Sequence, residues 1–251
     1  MKIIEYVEAL AGEGELLADV AERAGVETPV PTCPGWRVAD LLRHTGAVHR
    51  WATGFVADGL VEPVPFPDGP ELPGAELLPW FREGHATLVR TLTDAPADLM
   101  CWTFLPTAPP SPVAFWARRQ AHETTVHRFD AQSALGAEAG FAFGPVGARF
   151  AEDGVDELLT GFHARPRSRV RTEEPRVLRV RASDTGAVWT VHLSREPART
   201  VRGDTGEPAD CEVTGEAAWL YAALWNRLPL TGPGVTGDAA VARLWSATSG
   251  I

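Results

Sequence analysis

Two segments of the chain carry side chains of the types that bind metal ions: His49 in one, and Glu123 with His127 in the other. A helix advances about 100° per residue, so residues four apart project from one face, about 40° from each other. Glu123 and His127 could therefore hold one ion if they lie on a helix. A third ligand must come from elsewhere, and His49 is the best candidate because it lies in the middle of another predicted helix.

The run from His122 to His127 differs from the metalloprotease motif His-Glu-x-x-His. His122 and His127 are five residues apart, about 140° around a helix, and Val126 stands where that motif has its second histidine. The other histidines have no comparable partner in the sequence, and we predict structural or surface roles for them. They are His44, His85, His122, His163 and His192.

Two imidazoles and one carboxylate suit Zn²⁺ or another divalent ion, and three protein ligands leave a fourth position open, as in catalytic zinc sites. A thiol that coordinates the ion there would lose its proton, so such a site could supply a thiolate nucleophile. The alternative interpretation is a set of hydrogen-bonded core residues, because histidines inside helix bundles are commonly structural. Burying Glu123 and His127 is unfavourable unless they are paired or ligating, which favours the metal site.

Apolar periodicity predicts four long helices before the middle of the chain, over residues 3–24, 38–57, 75–92 and 112–135. Ser111 and Pro112 are typical of a helix start, and Gly136 of a helix end. The connections are rich in proline. This pattern predicts a four-helix bundle, a common place for metal sites assembled from facing helices.

The second half of the chain changes in character. A helix is predicted over 146–163, strands over 177–182, 187–193, 200–202 and 210–214, and two further helices over 215–227 and 238–247. The turn Asp184-Thr-Gly186 between the first two strands indicates a hairpin. We therefore predict an α+β fold of two domains. Residues 1–140 form the bundle, and residues 141–251 form an antiparallel sheet with helices on one side.

Composition excludes several classes of function. A net charge of −10 argues against a nucleic-acid partner. No segment approaches the ~18 apolar residues of a membrane span, and the first residues lack the pattern of a secretory signal, so we predict a cytoplasmic protein without a membrane partner. Three widely spaced cysteines do not indicate a disulfide framework. Cys33 is interpreted as a small apolar residue and not as a nucleophile.

Two motifs resemble a known family. Residues 31–51 (PTCPGWRVADLLRHTGAVHRW) and 118–131 (RRQAHETTVHRFDA) are similar to the mycothiol-dependent maleylpyruvate isomerase family, whose N-terminal domain is a DinB-like four-helix bundle. Residues 224–228 (LWNRL) and 237–240 (GDAA) look like its small C-terminal α+β domain. The resemblance thus covers nearly the whole chain.

The resemblance implies a divalent metal, usually zinc, bound by one histidine of the second helix and by a glutamate and a histidine of the fourth. These ligands correspond to His49, Glu123 and His127. It also implies mycothiol as a thiol cosubstrate, bound between the two domains with its sulfur at the metal. An arginine of the C-terminal domain that assists catalysis corresponds to Arg227.

The function that the resemblance implies is activation of a low-molecular-weight thiol for addition to an electrophilic small molecule. The outcome is either cis-trans isomerisation, as with maleylpyruvate, or S-transfer, by a monomer or a homodimer. The alternative is a non-catalytic small-molecule or protein-binding module on the same bundle. The loop 102–112 discriminates between them: an accessible metal beneath it favours an enzyme, and a buried metal without a cavity favours a binding or structural role.

Overall fold

The computed structural model of the protein describes residues 1–105, 111–136 and 144–250. The chain divides into two compact units, Met1–Gly144 and Pro145–Ile251, which we call the N-terminal and the C-terminal unit. The domain boundary predicted between residues 140 and 141 lies outside the described residues.

The N-terminal unit is a bundle of four long helices. They are α1 (Ile3–Ala24), α2 (Val38–Asp58), α3 (Gly74–Asp94) and α4 (Pro112–Ser133). α1 packs against α3 and α4, and α2 packs against the same two helices. Apolar residues at helical spacing, such as Leu10 and Leu17 on α1 and Leu41 on α2, are fully buried. The predicted four-helix bundle is confirmed.

Helix α4 begins as its sequence predicts and is buried around nearly its whole circumference. The Ser111 side chain accepts a hydrogen bond from Ala114 N at 3.2 Å, and Pro112 occupies the first turn. Buried polar groups on this helix require partners. Arg128, for example, donates from Nε to Glu13 Oε2 of α1 at 2.6 Å. After the helix, Gly136 has φ 89°, the left-handed conformation that glycine adopts easily.

The C-terminal unit combines a five-stranded sheet with helices. Its helices are α5 (Ala148–Asp156), which continues as a π-helical segment Glu157–Phe162, α6 (Ala217–Leu224) and α7 (Ala239–Thr248). Its strands are β1 (Arg176–Ala182), β2 (Val188–Leu193), β3 (Arg199–Arg202), β4 (Cys211–Gly215) and β5 (Val235–Gly237), in the order β3-β2-β1-β4-β5. The predicted α+β class is confirmed.

The sheet is mixed, whereas the sequence predicted an antiparallel one. The predicted hairpin is present, with β1 and β2 antiparallel, but β4 lies parallel to β1 in the register Leu178↔Cys211. β3 lies at one edge of the sheet, and the chain that follows it crosses over so that β4 pairs with the other side of β1. The alternation of apolar and polar residues within a strand does not reveal which distant strand it pairs with. β5 was not predicted because three residues are too few to show alternation.

Hydrogen bonds join the helices of the C-terminal unit to its sheet and to one another. Trp189 Nε1 of β2 donates to Asp156 Oδ1 of α5 at 3.1 Å, and Trp245 Nε1 of α7 donates to Leu224 O of α6 at 3.0 Å. Among the described residues, no helix is both long enough and apolar enough to cross a membrane.

Candidate metal site

Three potential metal ligands converge where α2 contacts α4. Within the described part of the chain, one group of at least three histidine, cysteine or acidic side chains could hold a metal ion: His44 from α2, with Glu123 and His127 from α4. The ligand atoms all lie within 4.8 Å of one another. Glu123 Oε1 is 3.5 Å from His44 Nε2 and 3.1 Å from His127 Nε2. The arrangement offers two nitrogen donors and one oxygen donor, a set that suits zinc.

Aromatic side chains surround the two histidines. The ring centroid of His44 is 5.1 Å from that of Trp36 and 5.7 Å from that of Phe66. Trp36 also stacks on His127, at 6.1 Å between centroids and 19° between planes. These contacts restrict the orientation of both imidazoles and separate them partly from water.

The atoms of Glu123 and His127 that do not face the cluster centre are bonded to other protein groups. Glu123 Oε2 accepts a hydrogen bond from Arg119 Nη2 at 2.8 Å. His127 Nδ1 lies 2.8 Å from Asp130 Oδ2, which as a carboxylate oxygen accepts the Nδ1 proton. Partners of this kind hold metal ligands in a fixed orientation in many metalloproteins.

The electrostatics of Glu123 and His127 favour the charged form of both side chains. Burial alone would raise the pKa of Glu123, but the charge of His127, with hydrogen bonds from His127 and His44, holds this pKa well below its ordinary value. Burial lowers the pKa of His127, yet the Glu123 charge and the bond to Asp130 raise it to about 9. An ion at this site must therefore displace a proton from His127, because histidine binds metal in its neutral form.

His49 occupies a different environment, deeper in the bundle. It is fully buried, its Nε2 lies 2.9 Å from Thr124 Oγ1, and its ring packs at 5.4 Å from Phe81 and 5.5 Å from His85. Burial holds its pKa well below the ordinary value, so it is neutral at physiological pH. Ligation by His49 stays a prediction from the sequence. The geometry of the described residues favours His44 as the third ligand.

The structural or surface role predicted for His44 from the sequence does not agree with this placement, and one feature of the sequence could have identified the residue as a ligand. His44 and His49 lie five residues apart on α2, so they project about 140° from each other and cannot both face one ion easily. His49 lies within the apolar stripe of α2, and His44 lies at its margin. The His44 side chain is 33% exposed. A substrate must be able to reach a metal ion that has an open coordination position. The partly exposed His44 therefore suits such a site better than the buried His49 does.

A pocket of about 420 Å³ opens beside His44. Its lining includes Trp36, Asp40, Arg43, His44, Phe66 and the loop residues 67–69. Arg43 is held in place, because its Nη1 donates to Asp40 Oδ1 at 3.0 Å and its Nε donates to Pro70 O at 3.1 Å. The volume is within the usual range for small-molecule sites. Residues 106–110 of the discriminating loop 102–112 lie outside the described residues.

Arg227 lies in the C-terminal unit, three residues beyond the end of α6 at Leu224. The residue before it, Asn226, has φ 61°, a left-handed conformation that asparagine tolerates better than most residues. Asn226 Nδ2 donates to Ser249 Oγ at 2.9 Å, and Arg227 Nη1 donates to Trp225 O at 2.8 Å. The turn that carries Arg227 is therefore held by one local hydrogen bond and by one to the residue after α7. A catalytic role for Arg227 stays a prediction.

The three cysteines are all free thiols. Cys101 and Cys211 are buried, and burial raises the pKa of both thiols above the ordinary value. Cys33 is partly exposed and packs against an apolar core to which all four helices of the bundle contribute. A raised pKa disfavours the thiolate, so Cys101 and Cys211 are unsuited to nucleophilic chemistry.

Comparison with known proteins gives family matches in both units. The family model described as mycothiol maleylpyruvate isomerase N-terminal domain matches residues 7–132, and the one described as MDMPI C-terminal domain matches residues 149–244. No curated protein matches the chain.

Two solved structures are similar to the chain, both of mycothiol-dependent maleylpyruvate isomerase. One is 14% identical and the other, of a mutant form, 11% identical. Each has a TM-score of 0.60, and each alignment covers 94% of this chain and 92% of the other. At these identities the likeness shows a common fold.

Proposed function

The chain belongs to the mycothiol maleylpyruvate isomerase family, and from that premise we propose that it is a metal-dependent enzyme that activates a low-molecular-weight thiol. The thiol adds to an electrophilic small molecule. The observation that carries the proposal is the convergence of His44, Glu123 and His127 beside an accessible pocket.

His44, Glu123 and His127 fit a divalent ion by chemistry and by proximity. Two imidazole nitrogens and one carboxylate oxygen form the donor set of many catalytic zinc sites, and fewer than four protein ligands leave a position for a substrate atom. The exposure of His44 toward the pocket supports this assignment. A divalent ion bound there supplies Lewis acidity and favours the thiolate form of a coordinating thiol.

The surrounding residues orient the ligands and the thiol. The Asp130 carboxylate lies at His127 Nδ1, so Nε2 is the nitrogen that faces Glu123 and the cluster. Arg119 holds one oxygen of Glu123 and leaves the other facing the histidines. Trp36 and Phe66 provide aromatic walls beside His44, against which the body of a thiol can pack.

For the reaction, we infer addition of the thiol sulfur to an electrophilic carbon. With an activated cis double bond, the new carbon–sulfur bond makes the double bond single. Rotation and elimination of the same thiolate then leave the trans isomer. With other electrophiles, the sulfur stays attached, and the carbanion left by its addition takes up the proton that the thiol lost; the reaction is then S-transfer. The solved relatives favour mycothiol as the thiol and isomerisation as the outcome. Arg227 is the candidate for holding a substrate carboxylate.

The test is an assay of zinc-loaded and metal-stripped protein with mycothiol and maleylpyruvate, in parallel with mycothiol and a generic electrophile. We expect metal-dependent turnover in at least one arm. Isomerisation leaves the thiol concentration unchanged, whereas S-transfer consumes thiol, so thiol titration distinguishes the two. Stoichiometric metal without turnover in either arm would favour the binding-module alternative and contradict an enzyme of this kind.

A further inference from the structure

Asp130 is fully buried on α4, one turn beyond His127 and outside the three-ligand cluster. We propose that Asp130, itself held by Thr32, is a positioning residue that fixes His127 with Nε2 toward the metal position. This inference rests on the proposed function, because it assumes that His127 binds an ion.

The hydrogen bonds of the Asp130 carboxylate support this role. One oxygen, Oδ2, lies 2.8 Å from His127 Nδ1, and the other, Oδ1, accepts from Thr32 Oγ1 at 2.6 Å. An ionised carboxylate can only accept hydrogen bonds, so the proton of the His127 ring is kept on Nδ1. Nε2 is then the nitrogen left for an ion, which replaces the proton there, and it faces Glu123 Oε1 at 3.1 Å.

Thr32 comes from the connection between α1 and α2, far from α4 in sequence. This connection is compact: Cys33 N donates to Val30 O at 3.0 Å, and Trp36 N donates to Cys33 O at 2.9 Å. The same segment contributes Trp36, whose ring stacks on His127. The segment therefore holds His127 in two ways, through the carboxylate of Asp130 and through ring stacking.

The competing explanation is that Asp130 and Thr32 simply anchor the α1–α2 connection to α4. The two explanations differ in what they predict for metal affinity. A positioning role makes affinity depend on the acceptor at residue 130, and an anchoring role does not. Loss of a comparable partner behind a ligating histidine weakens metal binding about 10- to 100-fold.

The experiment measures zinc affinity of the full chain by competition with a chromophoric chelator. We expect Asp130→Ala to weaken affinity about 10- to 100-fold. Asp130→Asn should fall between Ala and the native residue, because an amide oxygen still accepts a hydrogen bond but carries no charge. Thr32→Val should cause a smaller loss in the same direction. If Asp130→Ala does not fold, the zinc affinity of Asp130→Asn decides the test.

Thr125→Val is the matched control. Thr125 lies on the same helix between the two ligands, is fully buried, and donates to Ala121 O of its own helix at 2.8 Å. We expect the zinc affinity of the Thr125→Val protein to equal that of the native protein. In the zinc-loaded native protein, ¹⁵N NMR should show His127 protonated at Nδ1, and Asp130→Ala should lose the hydrogen-bonded Nδ1 proton resonance.

The possible outcomes separate this inference from the proposed function. If the native protein binds zinc and both Asp130 variants bind it equally well, the positioning role is overturned and the metal site stands. An equal loss in Thr125→Val would also overturn it, because the effect would then be a general one on the bundle. If the native protein binds no zinc, the metal site of the proposed function is overturned as well.

Discussion

Glu123 lies between three groups that favour its negative charge. One of its oxygens faces the two histidines of the cluster, and the other accepts a hydrogen bond from Arg119. Without an ion, the Glu123 carboxylate pairs with protonated His127. In the proposed metal-bound form, the same oxygen is a ligand. The residue therefore stabilises positive charge at this position in either case.

The first prediction concerns the dependence of His127 on Glu123. In metal-free protein, Glu123→Gln should lower the pKa of His127 from about 9 toward its ordinary value, because the largest favourable interaction is removed. NMR titration of the imidazole measures this. Glu13→Gln is the control, since Glu13 pairs with Arg128 and not with His127. An unchanged pKa in Glu123→Gln would show that Asp130 alone raises it.

The second prediction concerns the pH dependence of stability. The pKa of His127 is raised to about 9 from an unfolded value near 6.5, so its stabilising contribution is complete below about pH 6.5 and is lost as pH rises through 9. Metal-free protein should therefore lose free energy of unfolding between pH 7 and 10, measured by urea denaturation. His127→Gln should lack this component. An identical slope in both proteins would contradict the assignment.

The third prediction is the opposite pH dependence of metal binding. A proton and an ion compete for His127, so zinc affinity should rise with pH up to about 9. Zinc binding near pH 7 should release protons, which calorimetry detects as a heat that varies with the ionisation enthalpy of the buffer. Heat independent of the buffer would contradict displacement of a proton from His127.

At the scale of elements, helix α4 determines the candidate site because it supplies two of the three candidate ligands and the proposed positioning residue. The sequence predicts this helix and its partners well, since apolar spacing and the Ser111-Pro112 start are local properties. Glu123 and His127 were also predicted to face one point, because their relation depends on helix geometry alone. Choosing between His44 and His49 depends on how α2 is rotated against α4, which is a property of tertiary packing.

The parallel pairing of β4 with β1 escaped prediction for a similar reason. Alternating apolar residues identify each strand, but the order of strands depends on where the chain crosses after β3. Short β5 carries too few residues for a pattern. Local rules thus recover the longer elements and the hairpin, while non-local pairing requires the folded structure.

The fourth prediction tests the close packing of α1 against α3. A methyl group added at Gly14 would overlap the His85 ring, whereas one at Gly12 would meet no atom within 4 Å. Gly14→Ala should lower the free energy of unfolding by about 1–3 kcal/mol, as overpacking does. Gly12→Ala should raise it by roughly 0.5–1 kcal/mol, because alanine favours helix over glycine. Urea denaturation measures both, and equal effects of the two changes would contradict this packing.

At the scale of the whole molecule, the two units carry different parts of the proposed chemistry. The N-terminal unit holds the candidate metal site, and the C-terminal unit holds Arg227. The family matches fall in both units, residues 7–132 in one and 149–244 in the other. The proposed reaction therefore assigns metal and thiol activation to the first unit and substrate recognition to the second.

The fifth prediction separates these contributions. Arg227→Ala should leave zinc content unchanged and lower kcat/KM for a carboxylate substrate by about 10- to 100-fold, as expected for losing charged hydrogen bonds worth roughly 1.5–3 kcal/mol. Arg195→Ala is the control, because Arg195 is an exposed arginine of the same unit that pairs with Glu173. Unchanged kcat/KM in Arg227→Ala would remove Arg227 from the proposed mechanism.

The most direct test of the metal site is zinc stoichiometry in two histidine variants of α2. His44→Gln and His49→Gln make the same chemical change five residues apart on one helix, and metal analysis with chelator competition measures both. We predict that His44→Gln loses tight zinc binding, while His49→Gln retains one zinc per chain. Retention of zinc by His44→Gln together with its loss in His49→Gln would contradict the site formed by His44, Glu123 and His127.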